Sequence, residues 1–419
     1  LRVEEMIRQL RTVLGDDNVE LTCMTFDPKR TAGYFRAVRQ VEMPQIFPPF
    51  LAQECPKHHG VVACEGSMFK SKFANALSVL MAGSLGMAAV ENKLSVGYGA
   101  EAGAMDDGLS HFVRKHCAQS LVICRNDPSR KVLEGLGVRT KGGTDTAWTF
   151  DPAPPAVGEA QLRAAGWDGV RPLVIVCPIN PFCWPAAPDL VRATALGLFG
   201  EFRNEHYRSI YFHSWSEESE RRFETYLESL ARGVRELVRE TDAFVVCVGM
   251  EALDREACER LSQLLHGRAP VFVSDEHDMY QLVSILRHAT LLLSSRFHAI
   301  VSTLPAGVPA VGVTMDERIA NLLTDVGHKE LLLRVDDHDL TPRLIDALRD
   351  GYRRREQLRE SSLRFVPSQL ALLAQMGMDF EDELMRVYPE FPKREVARSM
   401  ENYLPPLSAN LTRLLEAYT

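Results

Sequence analysis

The sequence predicts an α/β protein of two Rossmann-like, doubly wound domains facing a cleft, with helices at the C-terminal end. Three observations lead there. Short apolar runs of strand length alternate with stretches of helical periodicity along most of the 419 residues. Pro152, Pro154 and Pro155 interrupt that alternation between Asp151 and Gly158. Apolar runs end in polar tips that lead straight into helices, most clearly where Thr290 to Leu293 runs into Ser294 and Ser295. The expected division is a first domain over 1–150, a linker over 151–172, a second domain over 173–364 and a helical tail over 365–419.

Composition narrows the function. A net charge of -8 and a pI near 5.9 argue against a general nucleic-acid or anionic-membrane binder, so an anionic ligand would need a local cationic pocket. The nine cysteines are scattered, several inside apolar runs (Cys64, Cys124, Cys177, Cys247), as suits reduced thiols in a cytoplasmic protein. No Cys-x-x-Cys pair is present, so no zinc site is expected. No apolar run reaches the length of a membrane span, and the longest, Ala76 to Val90, reads as a buried helix. No signal peptide is visible. The sequence says nothing about oligomeric state.

In the first half, Val3 to Leu14 has helical spacing and Gly15 stops it. Val19 to Phe26 alternates like a strand, and the Pro-rich stretch Pro44 to Pro56 reads as a loop. The strand Gly60 to Cys64 ends in Glu65-Gly66-Ser67 before a long helix from Phe73. Gly66 and Ser67 would let backbone approach a ligand, Lys70 and Lys72 would hold an acidic group, and Glu65 would meet a hydroxyl. The alternative for both lysines is a solvated helix start. A strand from Lys93 to Gly97 leads into Gly97-Tyr98-Gly99, a glycine pair suited to a tight turn beside a ligand. The strand Ser120 to Cys124 ends in Arg125, with Ser129 placed to cap the next helix. Arg125 reads as a ligand-binding cation, with a structural ion pair as the alternative.

In the second half, the strand Leu173 to Val176 leads into a proline-rich loop. Its Asn180, Phe182 and Trp184 would face a sugar or plug the domain interface. Glu217 to Glu240 is a long charged helix, and Ala243 to Val248 a strand ending in Gly249-Met250-Glu251. The strongest site signal comes next. Ser295, Arg296 and His298 lie where a strand tip turns into a short helix closed by Pro305 and Gly307. Such a junction offers unpaired N–H groups and partial positive charge, Arg adds a fixed fork of donors, and His adds a group that titrates near neutrality. A small anion with two acidic groups suits it; two surface cations around a core Phe297 is the plain alternative.

Ser295-Arg296-Phe297-His298-Ala299, then Gly307-Val308-Pro309 and Met315-Asp316-Glu317-Arg318-Ile319, resemble the signature of the polysaccharide pyruvyltransferases. The departures there are Met315 for an aromatic residue and Arg318 for lysine. The resemblance runs over most of 60–335 and is weaker in the first half. There Cys64-Glu65-Gly66 replaces a glycine-rich turn, Asn126 stands in an aspartate's place beside Arg125 and Ser129, and the family's opening strand and Asn-x-Gly-Asp loop are not visible. Asp145-Thr-Ala-Trp148 resembles the segment that closes the family's first half.

The resemblance implies a GT-B-like fold, phosphoenolpyruvate as donor substrate with no cofactor, and a sugar or glycan acceptor joined as a ketal. It implies Arg296 and His298 as catalytic residues and Arg125 as a second donor cation. Ser295 and Ser129 would serve substrate binding, and the acceptor would lie near Glu65, Gly66, Ser67, Lys70, Gly97 and Gly99. Two other functions compete: a GT-B nucleotide-sugar glycosyltransferase or epimerase, and a ligand-binding member of the family that has lost catalysis.

Overall fold

The structure is a computed structural model that describes residues 1–35, 38–64, 66–199 and 210–418. The chain forms two compact units. The first comprises Leu1–Thr149, Trp184–Ser214 and Gln369–Leu407, the second Phe150–Cys183, Trp215–Ser368 and Ser408–Thr419. Among the described residues no helix is long and apolar enough to cross a membrane.

The first unit is built on a parallel sheet of β3 (Gly60–Ala63), β4 (Leu94–Ala100), β5 (Leu121–Cys124) and β6 (Arg139–Gly142), in that spatial order. A separate parallel pair is formed by β1 (Thr22–Thr25) and β2 (Arg39–Glu42), and a short antiparallel pair by β8 (Ala187–Pro188) and β9 (Tyr211–Phe212). Every residue of β4 and β5 is buried, as parallel strands covered on both faces require. The helices Asn75–Val90 and Asp107–His116 bring Leu80, Leu85, Leu109 and Val113 into one core with Val61, Ala63, Val122 and Cys124. Tyr98 of β4 packs elsewhere. Its ring lies edge-on to Phe380 at 5.9 Å, and its hydroxyl donates to Gln9 Oε1 of the helix Arg2–Leu14 at 2.8 Å.

Two expectations change here. β4 does not stop at Gly97 but runs to Ala100, which places Gly97 inside the strand, where a Cβ would lie 3.2 Å from Val122. Gly99 takes a positive φ of 62° at the point where the β4–β5 register shifts, so the glycine pair makes a kink within a strand instead of a turn after it. The tail also differs. A helix of 33 residues, Arg355–Val387, runs across the expected 364/365 boundary and continues through Pro367. An internal proline disfavours a helix by about 3 kcal/mol. Burial of Leu370, Leu373, Met376 and Phe380 beyond it outweighs that penalty.

The second unit carries a six-stranded parallel sheet of β7 (Leu173–Cys177), β10 (Phe244–Gly249), β11 (Val271–Val273), β12 (Leu291–Ser294), β13 (Ala310–Thr314) and β14 (Leu332–Arg334). Its spatial order is β11-β10-β7-β12-β13-β14. The chain winds outward from β7 through β10 to β11, then returns to β7's other edge as β12. The order therefore reverses at β7, the place where doubly wound sheets leave a crevice beyond the strand ends. In register, Ser294 lies beside Cys177.

The 25-residue helix Glu217–Thr241 covers this sheet with Phe223, Tyr226, Leu230, Val234 and Leu237 at helical spacing, and a Ser216–Ser219 capping box fixes its start. Pro155–Ala164, inside the stretch expected as linker, forms a helix of this unit. Its Gly158 approaches Ser284 closely enough for the Gly158 N–H to donate to Ser284 Oγ at 3.1 Å.

Candidate functional site

Each unit gathers charged groups at the C-terminal tips of its strands. In the first unit, Lys70 comes from the loop after β3, Glu101 directly follows β4, Arg125 directly follows β5, and Asp145 lies three residues past β6. Arg2, from the first turn of the helix Arg2–Leu14, joins them. All five are buried.

The Arg125 guanidinium pairs with Glu101 and, at 2.9 Å, with Asp145. Arg2 reaches the same Asp145 oxygen at 3.0 Å and donates to the carbonyl of Gly99. Lys70 Nζ lies 3.3 Å from Glu101. Among the described residues, three formal positive charges thus face two negative ones away from water, where ions are disfavoured unless paired. Gly66 fits against this cluster because it has no side chain: a Cβ would sit 3.1 Å from Arg125 Nη1 and 3.2 Å from Arg2 Nη1.

The structure therefore brings Gly66, Lys70 and Arg125 together. Lys70 is 1% exposed and ion-paired, so it is not the solvated lysine of the plain alternative, whereas Lys72 is exposed. Arg125 has the ion pairs that were the alternative reading for it. Ser67 is buried close by in sequence. Ser129 does not cap its helix. Asn126 does, accepting from the Ser129 N–H at 2.9 Å, while the Ser129 hydroxyl donates to the carbonyl of Ala102. That explains Asn in an aspartate's place, since either side chain caps well. Glu65 lies outside the described residues. Arg2 and Asp145 are the members that residue-level reasoning missed as ion partners. The Asp145-Thr-Ala-Trp148 segment was the available signal for one; nothing in the first helix pointed to the other.

In the second unit the tip of β12 carries Ser295, Arg296 and His298. Ser295 is tied on two sides. Its N–H donates to the carbonyl of Cys177 at the end of β7 (3.0 Å), and its hydroxyl shares a 2.7 Å hydrogen bond with Tyr226. Burial pushes the Tyr226 phenol well above its ordinary pKa, so it stays a neutral partner. Ser294 Oγ accepts from the Arg296 N–H and donates to the Arg296 carbonyl, both at 2.9 Å, which fixes the extended residue before the helix Phe297–Thr303. His298, half-buried in the first turn of that helix, lies edge-on to Phe297 with ring centroids 5.2 Å apart.

Arg296 reaches across to the loop after β10. Its Nε donates to both carboxylate oxygens of Asp254, at 2.9 and 3.1 Å, and its Nη2 contacts Asp254 as well. The same Nη2 lies 3.0 Å from Glu251. Asp254 is 1% exposed. Burial pushes its carboxyl up to about 6, with the Arg296 charge pulling the other way. The two carboxylates hold the Arg296 guanidinium firmly charged. Neither was foreseen, because their partner is 42 residues from Asp254 and 45 from Glu251 in sequence.

Further along, Gly307 ends its turn with a φ of 71°, and Asp316 caps the helix Glu317–Val326 while holding Arg318 Nε at 2.7 Å. Among the described residues no group of three or more His, Cys, Asp or Glu side chains is arranged to hold a metal ion.

Several solved structures share the fold. UDP-GlcNAc 2-epimerase from Neisseria meningitidis, solved bound to UDP-GlcNAc, is 8% identical over 92% of this chain and 98% of its own, with a TM-score of 0.54. MnaA of S. aureus, solved with UDP, is 9% identical over 94% and 97%, TM-score 0.55. A glycosyltransferase from Rickettsia africae is 12% identical over 93% and 97%, TM-score 0.52. At such identities the likeness establishes the two Rossmann-like domains of a GT-B-like fold and nothing finer. No curated protein sequence gives a significant match. A sequence model of the family described as polysaccharide pyruvyl transferase matches residues 10–317, a span that includes the strand tips of the first sheet, those of the second sheet except β14, and the whole Ser295 to His298 motif. The chain is thus a transferase and belongs to the polysaccharide pyruvyl transferase family.

Proposed function

We propose that this enzyme moves the pyruvyl group of phosphoenolpyruvate onto two hydroxyls of a sugar in a glycan or glycoconjugate, as a cyclic ketal. One observation carries the reading: Arg296 and His298 leave the sheet of the second unit together, beside the strand at which its order reverses. The donor brings a carboxylate and a phosphate, and a guanidinium aimed from a strand tip is suited to either.

The chemistry asks for a proton on the methylene carbon, which turns it into the methyl group and leaves a cationic carbon beside the carboxylate. One sugar hydroxyl adds there. Phosphate then leaves and the second hydroxyl closes the ring. Of the two hydroxyl protons, one balances that given to carbon and the other departs with phosphate. Arg296 holds the donor's anionic end. His298 acts on the same ligand, as the proton donor to carbon or as the partner of the leaving phosphate. The pH profile of a His298→Gln variant separates these roles, since a lost proton donor removes a limb from the profile.

The acceptor is assigned to the first unit, to the loop that follows β3 with Gly66 and Ser67. Gly97 is withdrawn from that set because its place inside β4 gives a sugar nothing to touch.

Release of inorganic phosphate from phosphoenolpyruvate on addition of glycan acceptors tests the proposal. The product should gain the mass of pyruvate less one water. Arg296→Ala should lower kcat/KM at least tenfold, since a charge-assisted hydrogen bond contributes roughly 1.5–3 kcal/mol. Failure to consume phosphoenolpyruvate with any acceptor, alongside turnover of a nucleotide sugar, would overturn it. Glu251 favours that second reading: it is a half-exposed carboxylate at the tip of β10, of the kind that can hold ribose hydroxyls. Thermal stabilisation by a uridine diphosphate sugar and not by phosphoenolpyruvate would support it.

A further inference from the structure

We propose that Asp254 is the positioning residue of this site: it locks one edge of the Arg296 guanidinium and leaves the Nη1 end to meet the ligand. The proposal rests on the reading above only for the identity of that ligand. A guanidinium has five N–H donors, one on Nε and two on each terminal nitrogen. Asp254 accepts from Nε with both oxygens, at 2.9 and 3.1 Å, and from Nη2 as well. Glu251 lies 3.0 Å from the same Nη2. Among the described residues no protein group accepts from Nη1, and the Arg296 side chain keeps 17% of its surface open.

Asp254 serves as a fixed point because it is itself held. It ends the short 3₁₀ turn Ala252–Asp254, and its N–H donates to the Glu251 carbonyl at 2.9 Å. Its carboxylate, 1% exposed, also accepts from the Glu251 N–H at 3.1 Å. Gly249, the last residue of β10, makes room for it: a Cβ there would lie 3.1 Å from Asp254 Cβ and 3.0 Å from Val273. A free arginine side chain loses rotamer freedom when a ligand orders it. Here the grip of Asp254 orders it during folding, so an anion meets a guanidinium already aimed. Asp254 has a second, opposite effect, since its charge repels an anion. The sign of the effect of neutralising it therefore separates positioning from charge.

Asparagine has the shape of aspartate, but its amide nitrogen would face a guanidinium N–H, donor against donor. Calorimetric titration of the full chain with phosphoenolpyruvate, and separately with UDP, tests the proposal. Asp254→Asn should bind the anion that the site accepts about tenfold more weakly than wild type. Lysine is a point charge with no fork to orient, so in an Arg296→Lys background Asp254→Asn should cost nothing further. A purely structural role would cost the same in both backgrounds. Circular dichroism melting compares the folds. If Asp254→Asn does not fold, a wild-type crystal soaked with the anion decides: an acidic oxygen on Nη1 beside an unbroken Arg296–Asp254 pair supports the proposal, and an anion on Nε in place of Asp254 overturns it. Equal or tighter binding by Asp254→Asn, a loss that persists in the Arg296→Lys background, or no binding of either anion by wild type would also overturn it. The expected pattern with UDP alone would sink the donor assignment and leave the role of Asp254 standing.

Discussion

Arg296 shows what a single residue can and cannot reveal in sequence. Its type, its place after an apolar run and its spacing to His298 mark it as a ligand-binding group. The Asp254 and Glu251 carboxylates that hold it are 42 and 45 positions away, which only the sheet order resolves. The same limit applied to Arg125, whose partners Glu101 and Asp145 come from different strands. His298→Ala should reduce turnover roughly 10²–10⁴-fold in a phosphate-release assay with its melting temperature unchanged, and near-normal turnover would exclude it from the chemistry. Gly99→Ala should destabilise the first unit by about 1–2 kcal/mol in urea denaturation. The residue is left-handed, and a Cβ would lie 2.9 Å from Arg2 Nη2 and 3.1 Å from the Thr144 carbonyl. His328 supplies a pH prediction. It is 2% exposed, bonded through Nε2 to Ser361 at 2.6 Å, and burial lowers its pKa below the ordinary 6.5. A depressed histidine contributes stability that is complete above its unfolded pKa and is lost as pH falls. Wild type should therefore lose stability relative to His328→Gln between about pH 7 and 5. Parallel curves would show that His328 carries no such linkage.

At the scale of elements, strands were the most legible. Ser120 to Cys124, Leu173 to Val176 and Ala243 to Val248 are short, mostly apolar runs bounded by turn residues, and each is a largely buried parallel strand in the structure, give or take a residue. What misled was local punctuation. Three prolines made 151–172 look like linker, yet Pro155 only starts a helix, where a missing N–H does no harm. Pro367 lies inside the helix Arg355–Val387, and packing of the following turns offsets its cost. Gly97 and Gly99 looked like a turn because a glycine chosen for packing and one chosen for φ are identical in sequence. Gly158 gives the sharpest test of this point. An alanine in a helix interior ordinarily gains about 0.5–1 kcal/mol over glycine. Here a Cβ would lie 2.6 Å from the Ser284 backbone, so the two helices must separate. Gly158→Ala should destabilise by about 1–3 kcal/mol in thermal or urea unfolding, opposite in sign to helix propensity. A stabilised variant would contradict the close packing.

At the scale of the whole molecule, the family and the GT-B-like fold were legible because the Ser295 to His298 motif and the strand–helix alternation are both local in sequence. The composition of each unit was less so. The first unit draws on three separated segments, and residues 369–407 supply Phe380, packed on Tyr98, and Tyr403, whose carbonyl accepts from Gln9 at 2.9 Å. A fragment ending near residue 150 lacks both. It should show poorly dispersed amide resonances and no cooperative unfolding, whereas sharp, native-like spectra would mean that the later segments are dispensable. The central claim concerns where the donor binds. Its most direct measurement is a crystal of the full chain soaked with phosphoenolpyruvate. The account predicts the donor's acidic groups on Arg296 beyond the tip of β12, with His298 in contact. Phosphoenolpyruvate bound at the first unit's strand tips, with Arg296 still closed on Glu251 and Asp254, would contradict it.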